Sequence, residues 1–339
     1  MMYSILSVLV LLIAGVIAYF KKVPHGWVQM RTGLVLRFIP PLDNKPVEQI
    51  RKGLEAFVAK RMHTITKALP VSQVEDIDIP TRHGPIKARV YKHGIKQGDK
   101  IIVMMHGGGW CIGSVNTYEE VSRRLAITTG QTVVSLDYSL APEHKFPHAH
   151  DECLDATTWI SEHMKEIDAS ASSLVLVGDS AGGNLIISTT YTCHSEVRKN
   201  ISHLAAVYPV VDSKKSDYAS SQDYGDGYYL TTKAMAQFTE GLLSSADDLA
   251  DDRLSPFFYD AVDHFPKIMV LTAEYDPLRD QGEAWAQKMK AEGLSVVAKR
   301  YAGTIHAFFG LKDFGSQGVT AISDIGLFLS GKEVPGAQT

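Results

Sequence analysis

The sequence is short of several things, and each shortage closes off a class of function. Of its 339 residues only three are cysteine, Cys111, Cys153 and Cys193. None forms a CxxC pair or stands at zinc-ligand spacing from a histidine, so neither a disulfide scaffold nor a structural zinc site is expected. They read as buried thiols, with a single disulfide as the alternative. No basic stripe or run of like charge occurs, and the formal net charge is −4, which excludes a nucleic-acid partner. No repeat and no low-complexity tract is present, which excludes solenoids and disordered arrays. No His/Cys/Asp/Glu cluster stands at ligand spacing, so neither metal nor organic cofactor is expected.

One run is distinctly non-globular. Residues 3–20 carry no charge and end at Lys21 and Lys22. A helix of that length just spans a bilayer core. No Lys or Arg precedes the run, as a cleaved signal would require, so residues 1–22 are expected to anchor the chain in a membrane. The alternative is export with a cleaved signal, for which Val16-Ile17-Ala18 makes a poor processing site. Lys21, Lys22, Arg31 and Arg37 all follow the run, which places the remaining chain in the cytoplasm.

Past residue 22 the composition is ordinary for a globular protein, with 45% hydrophobic and 21% charged residues. Val47, Ile50, Leu54, Phe57 and Val58 recur at helical spacing behind Pro40, Pro41 and Pro46. From about residue 76, apolar β-rich runs alternate with helical stretches. The expected strands are Lys87–Tyr91, Lys100–Met105, Thr132–Asp137, Ser173–Val177, Leu204–Tyr208, Lys267–Thr272 and Ser295–Tyr301. The expected helices are Thr117–Thr129, His148–Lys165, Ala181–Ser195, Asp280–Glu292 and Val319–Leu329. Continuous Val/Ile/Leu runs suit strands buried on both faces, and the alternation predicts an α/β fold with a mostly parallel, doubly wound sheet. The polar stretch 212–252, with a helix-like Thr231–Leu243, interrupts it. Residues 23–75 and this insertion are expected to form a small helical cap over a catalytic domain spanning 76–335.

Three segments carry chemistry. Gly178-Asp179-Ser180-Ala181-Gly182 lies between an expected strand and an expected helix. Such a turn is crowded, so small residues must flank the serine, which then projects at a helix N-terminus. His106-Gly107-Gly108-Gly109-Trp110 follows another strand. Three residues without Cβ leave backbone N–H groups free to converge on a substrate oxygen. No Lys-Ser/Thr follows, so the loop is not a nucleotide phosphate loop. Trp110 is expected to wall the acyl pocket.

A nucleophilic serine needs a base and the base an orienting acid, in the chain order Ser, acid, His. His306 is the only histidine after Asp276, and it follows the last expected strand. Asp276 lies just past the end of a strand, at the face where such sheets bind ligands. Glu274 and Asp280 are the rival acids. His306 would take the Ser180 proton, Ser180 would attack the carbonyl, and Asp276 would hold the imidazole tautomer.

HGGGW at His106–Trp110, GDSAGGN at Gly178–Asn184 and DYSLAPEHKFP at Asp137–Pro147 together resemble the hormone-sensitive lipase family of α/β hydrolases. Asp276-Pro277-Leu278 and His306-Ala307-Phe308 complete the likeness, which covers roughly residues 80–330. The bacterial type IV esterases and the membrane-anchored arylacetamide deacetylases belong with that family. The resemblance implies the α/β-hydrolase fold and a carboxylesterase or lipase-like serine hydrolase working through an acyl-enzyme. It implies short- to medium-chain acyl esters as substrates. It also implies an oxyanion hole built by Gly107, Gly108, Gly109 and Ala181. The N–H groups of Gly108, Gly109 and Ala181 would point at the oxygen while Gly107 shapes the loop. Glu143 occupies the family's buried acidic position and would support the site loops by hydrogen bonding. Ser139 departs from the family, which usually has Arg there, so a supporting ion pair is in question. An amide or deacetylase-type hydrolase uses the same triad. A non-catalytic binder, as in the plant gibberellin receptor, has lost the histidine that this chain keeps. Oligomeric state is not written in the sequence.

Overall fold

The structure, a computed structural model, describes residues 12–19, 21–23, 26–38, 42, 45–94, 98–215, 217–260, 262–310 and 316–338. An eight-stranded sheet forms its centre. In chain order the strands are β1 Gln73–Ile79, β2 Ile86–Lys92, β3 Lys100–Met105, β4 Thr132–Asp137, β5 Ser173–Asp179, β6 Ile201–Val207, β7 Lys267–Tyr275 and β8 Val296–Ile305. Their spatial order is β8-β7-β6-β5-β3-β4-β2-β1. From β4 to β8 every neighbouring pair is parallel; β2 runs antiparallel to both β1 and β4.

The apolar runs become central strands because both faces of the sheet are covered. In β3, Ile101, Val103 and Met105 pack into one core, while Ile102 and Met104 pack into the other. The same alternation in β5 sends Leu174 and Leu176 one way and Val175 and Val177 the other. A period of two in side-chain direction explains the split. Helices Ala181–Thr192, His148–Glu162 and Arg279–Ala291 close the first core through Leu185, Ile160 and Trp285. Helices Glu119–Thr129 and Gln317–Leu329 close the second through Leu125, Ile322 and Ile325.

The expected strands and helices are found with shifts at their ends, and one strand of the central sheet is new. β1 is polar and largely exposed, pairing only with β2 along one edge. Its sequence, QVEDIDI, has no continuous apolar run, so it escaped the sequence pattern.

Chain order and spatial order part company at β3, which lies between β5 and β4. Loops leaving β3 and β5 therefore diverge to open a crevice at the strands' C-terminal ends. Above it lie the helix Val47–Ala68 and, from the 212–252 stretch, the helices Ala219–Tyr224 and Thr232–Leu242. Thr231 caps the last of these by accepting the Ala234 N–H at 3.0 Å.

Most of the expected anchor lies outside the described residues, namely 3–11 and 20. Residues 12–19 are helical, and Leu12, Ile13, Val16 and Ile17 are exposed. No helix among the described residues is long and apolar enough to cross a membrane. The three cysteines are unpaired and buried.

Candidate active site

Ser180 sits where β5 turns into the helix Ala181–Thr192, with φ 55° and ψ −120°. A left-handed conformation is rare for a residue with a Cβ and costs of order 1–3 kcal/mol, held here by the surrounding structure. The neighbours must be small. A Cβ on Gly182 would lie 2.0 Å from the Met105 carbonyl oxygen, so the helix can approach β3 only with glycine there. The strained turn is pinned by the Ser180 N–H, which donates to the Val207 carbonyl at 2.9 Å.

The structure brings Ser180, His306 and Asp276 together from positions up to 126 residues apart. His306 Nε2 lies 2.9 Å from Ser180 Oγ, and His306 Nδ1 lies 2.7 Å from Asp276 Oδ2. All three side chains are buried, Asp276 completely. Its other oxygen, Oδ1, accepts the Leu278 N–H at 2.8 Å, which fixes the carboxylate plane. The rival acids are engaged elsewhere. Glu274 accepts the Gly303 N–H at 2.7 Å, and Asp280 accepts the Ser220 N–H at 2.8 Å.

The glycine loop after β3 folds over Ser180 through Gly108, whose φ of +126° only glycine adopts freely. Gly107 is not free to bind substrate. Its N–H is directed at Asp179 Oδ1, 2.9 Å away, and at the Tyr118 hydroxyl, 3.1 Å away. The N–H groups of Gly108, Gly109 and Ala181 have no acceptor among the described residues. All three residues stand near Ser180, Ala181 as the first residue of its helix.

A cavity of about 330 Å³ opens onto Ser180 and His306. Trp110 lines it from the loop, Leu54, Phe57 and Val58 from the N-terminal helix, and Leu230, Met235 and Phe238 from the later insertion. Asp212, Lys215, Tyr218 and Gln281 give it one polar flank.

Glu143 corrects one expectation. It is not buried: its side chain is 56% exposed. Its partner is Arg51 of the helix Val47–Ala68, whose guanidinium meets both carboxylate oxygens at 2.8 and 2.9 Å. That bidentate pairing holds the Glu143 carboxyl below its ordinary pKa. Arg51 also donates to the carbonyls of Cys111 and Ala141, so one side chain ties the N-terminal helix to the end of the glycine loop. The buried acid of the region is Glu152, which accepts from the Ser139 N–H at 2.7 Å and the Ser139 hydroxyl at 2.8 Å. Ser139 thus meets Glu152 through a pair of hydrogen bonds. Neither Arg51 nor Glu152 had a signal in the local sequence, because each acts across a fold contact.

A family model described as alpha/beta hydrolase fold matches residues 102–310. The arylesterase of Saccharolobus solfataricus is 33% identical over 78% of this chain and 84% of its own length. The chain belongs to the hormone-sensitive lipase-like family of α/β hydrolases. An ethyl acetate hydrolase of Pseudomonas putida is 30% identical over 76% of this chain and 84% of its own. Among solved structures, an esterase of Pyrobaculum calidifontis superposes with a TM-score of 0.81 at 35% identity, covering 88% of this chain and 97% of that one. The family implied by the motifs is the family found, and as a member of these α/β hydrolases the chain is an enzyme.

Proposed function

We propose that this α/β hydrolase cleaves carboxylic esters through an acyl-enzyme on Ser180. The observation that carries the reading is His306 standing within hydrogen-bond reach of both Ser180 Oγ, at 2.9 Å, and Asp276, at 2.7 Å. Esterases among the relatives and structural neighbours support the choice of substrate class.

In this reading His306 accepts the Ser180 proton as Oγ attacks the ester carbonyl. Asp276 keeps Nδ1 protonated, so that Nε2 faces the serine as a base. The carbonyl oxygen becomes an oxyanion, and Gly108, Gly109 and Ala181 donate to it; each such donor is worth ~2.7–4 kcal/mol. Gly107 serves as the hinge that aims the other two glycines. His306 then protonates the leaving alcohol, and water repeats the sequence on the acyl-enzyme. The segments 23–75 and 212–252 act as a cap over the catalytic domain, 76–335. The cavity, at about 330 Å³ and apolar on the Trp110 and Phe238 side, suits short- to medium-chain acyl groups.

Hydrolysis of p-nitrophenyl esters of two to sixteen carbons, wild type beside Ser180→Ala, tests this. Activity peaking at the shorter chains and vanishing in the variant is the expected result. Activity that survives the substitution refutes the nucleophile, and equal kcat/KM on the matching anilides refutes the ester preference.

A further inference from the structure

The residue before the serine is tied into more of the site than the serine is. Asp179 is buried, and its two oxygens receive three hydrogen bonds, two from the loop after β3 and one from the end of β6. Oδ1 accepts the Gly107 N–H at 2.9 Å, from the glycine loop. Oδ2 accepts the Tyr118 hydroxyl at 2.8 Å and the Tyr208 hydroxyl at 3.2 Å. Tyr208 in turn reaches the loop of the base. Its oxygen accepts the Phe309 N–H at 3.2 Å, and its ring lies 4.5 Å from the His306 imidazole.

We propose that Asp179 is a positioning residue whose carboxylate fixes the glycine loop and the His306 loop relative to the turn that bears Ser180. The proposal rests on the serine-hydrolase reading above.

Its physical basis is that, among the described residues, no cation donates to this carboxylate, although a charge in such a place needs compensation. Burial accordingly pushes the Asp179 carboxyl up to about 6, and the donors and His306 only partly offset it. The titratable groups facing it are Tyr118, Tyr138, Tyr208 and His306. Burial holds the three phenols far above their ordinary values, so they stay neutral donors. A folded-state pKa above the unfolded value means the ionised group opposes folding as pH rises through about 6. A purely structural tie would be better served by a neutral amide, which could accept from Gly107 and donate to the tyrosines. The charge costs stability, so its return must lie in the geometry of the loops that it clamps and in attraction for the imidazolium formed during turnover.

Asp179→Asn and Asp179→Ala test this in the full-length chain. A loop displacement of about 1 Å is worth ~10²-fold in rate. The expected result is a fall in kcat of that order for Ala and less for Asn, with KM changed by less than about threefold. The acid limb of log kcat/KM against pH should lose the Asp179 ionisation, its slope falling from about two to about one. The thermal midpoint of Asn should equal or exceed that of wild type above pH 6, the difference fading at lower pH. A wild-type kcat in both variants overturns the proposal, as does a fall in midpoint with the slope still near two. Fluorophosphonate labelling keeps this separate from failure of the parent reading. The Asn variant should label slowly at Ser180, whereas an unlabelled wild type would sink the serine mechanism itself.

Discussion

Asp276→Asn probes the site from its buried end, and the structure says which way the new amide must face. The Leu278 N–H points at Oδ1 from 2.8 Å, so the amide oxygen has to stand there to accept it. The amide nitrogen then replaces Oδ2, 2.7 Å from His306 Nδ1. Two donors cannot share that contact, so Nδ1 becomes an acceptor and the ring proton moves to Nε2. A protonated Nε2 facing Ser180 Oγ at 2.9 Å cannot take the serine proton. In a serine protease triad this change costs ~10⁴ in kcat, or ~5.4 kcal/mol at ~1.36 kcal/mol per decade. The expected loss here is of that size. The substitution preserves shape and both hydrogen bonds, so the thermal midpoint should move little. The assay is p-nitrophenyl butyrate turnover, with wild-type contamination bounded by fluorophosphonate titration. A loss of less than about tenfold in a folded variant would refute the claim that Asp276 sets the imidazole tautomer.

Two further outcomes follow from contacts that close the pocket. Arg51→Met removes the pair with Glu143 and the donors to Cys111 and Ala141. Exposure of Glu143 screens part of the pair, so the stability cost is about 1–2 kcal/mol, with a rise in KM as the helix Val47–Ala68 loosens; an unchanged midpoint and KM would show the tie to be idle. Phe238 stands where a Cβ on Gly109 would be, 2.5 Å from its ring, and it lines the cavity. Phe238→Ala should move the chain-length optimum toward longer acyl groups and cost up to ~3–5 kcal/mol; an unaltered ranking of acyl esters would exclude Phe238 from the acyl wall.

Seven of the eight strands of the central sheet, and the residues at their C-terminal ends, can be read from the sequence. Strands such as β3 and β5 are legible because burial on both faces demands an unbroken apolar run. Ser180, Gly107–Gly109 and Asp276 are legible because each follows such a run, at the end of the sheet that binds ligands, and His306 because no other histidine follows Asp276. β1 was not legible: one edge partner and an exposed face leave its composition free. What the loops do to one another emerges only on folding. Asp179 was in plain view beside Ser180, yet its grip on Gly107, Tyr118 and Tyr208 arises only when the loops after β3, β5 and β6 converge. Arg51 and Glu143 are 92 residues apart and meet because the helix Val47–Ala68 lies across the glycine loop. Glu143, assigned to a buried place by resemblance, stands exposed against Arg51, and the buried Glu152 is the acid that meets Ser139. Strands answer to the periodicity of their own residues; a hydrogen bond between distant loops has no periodicity, and only folding chooses its partners.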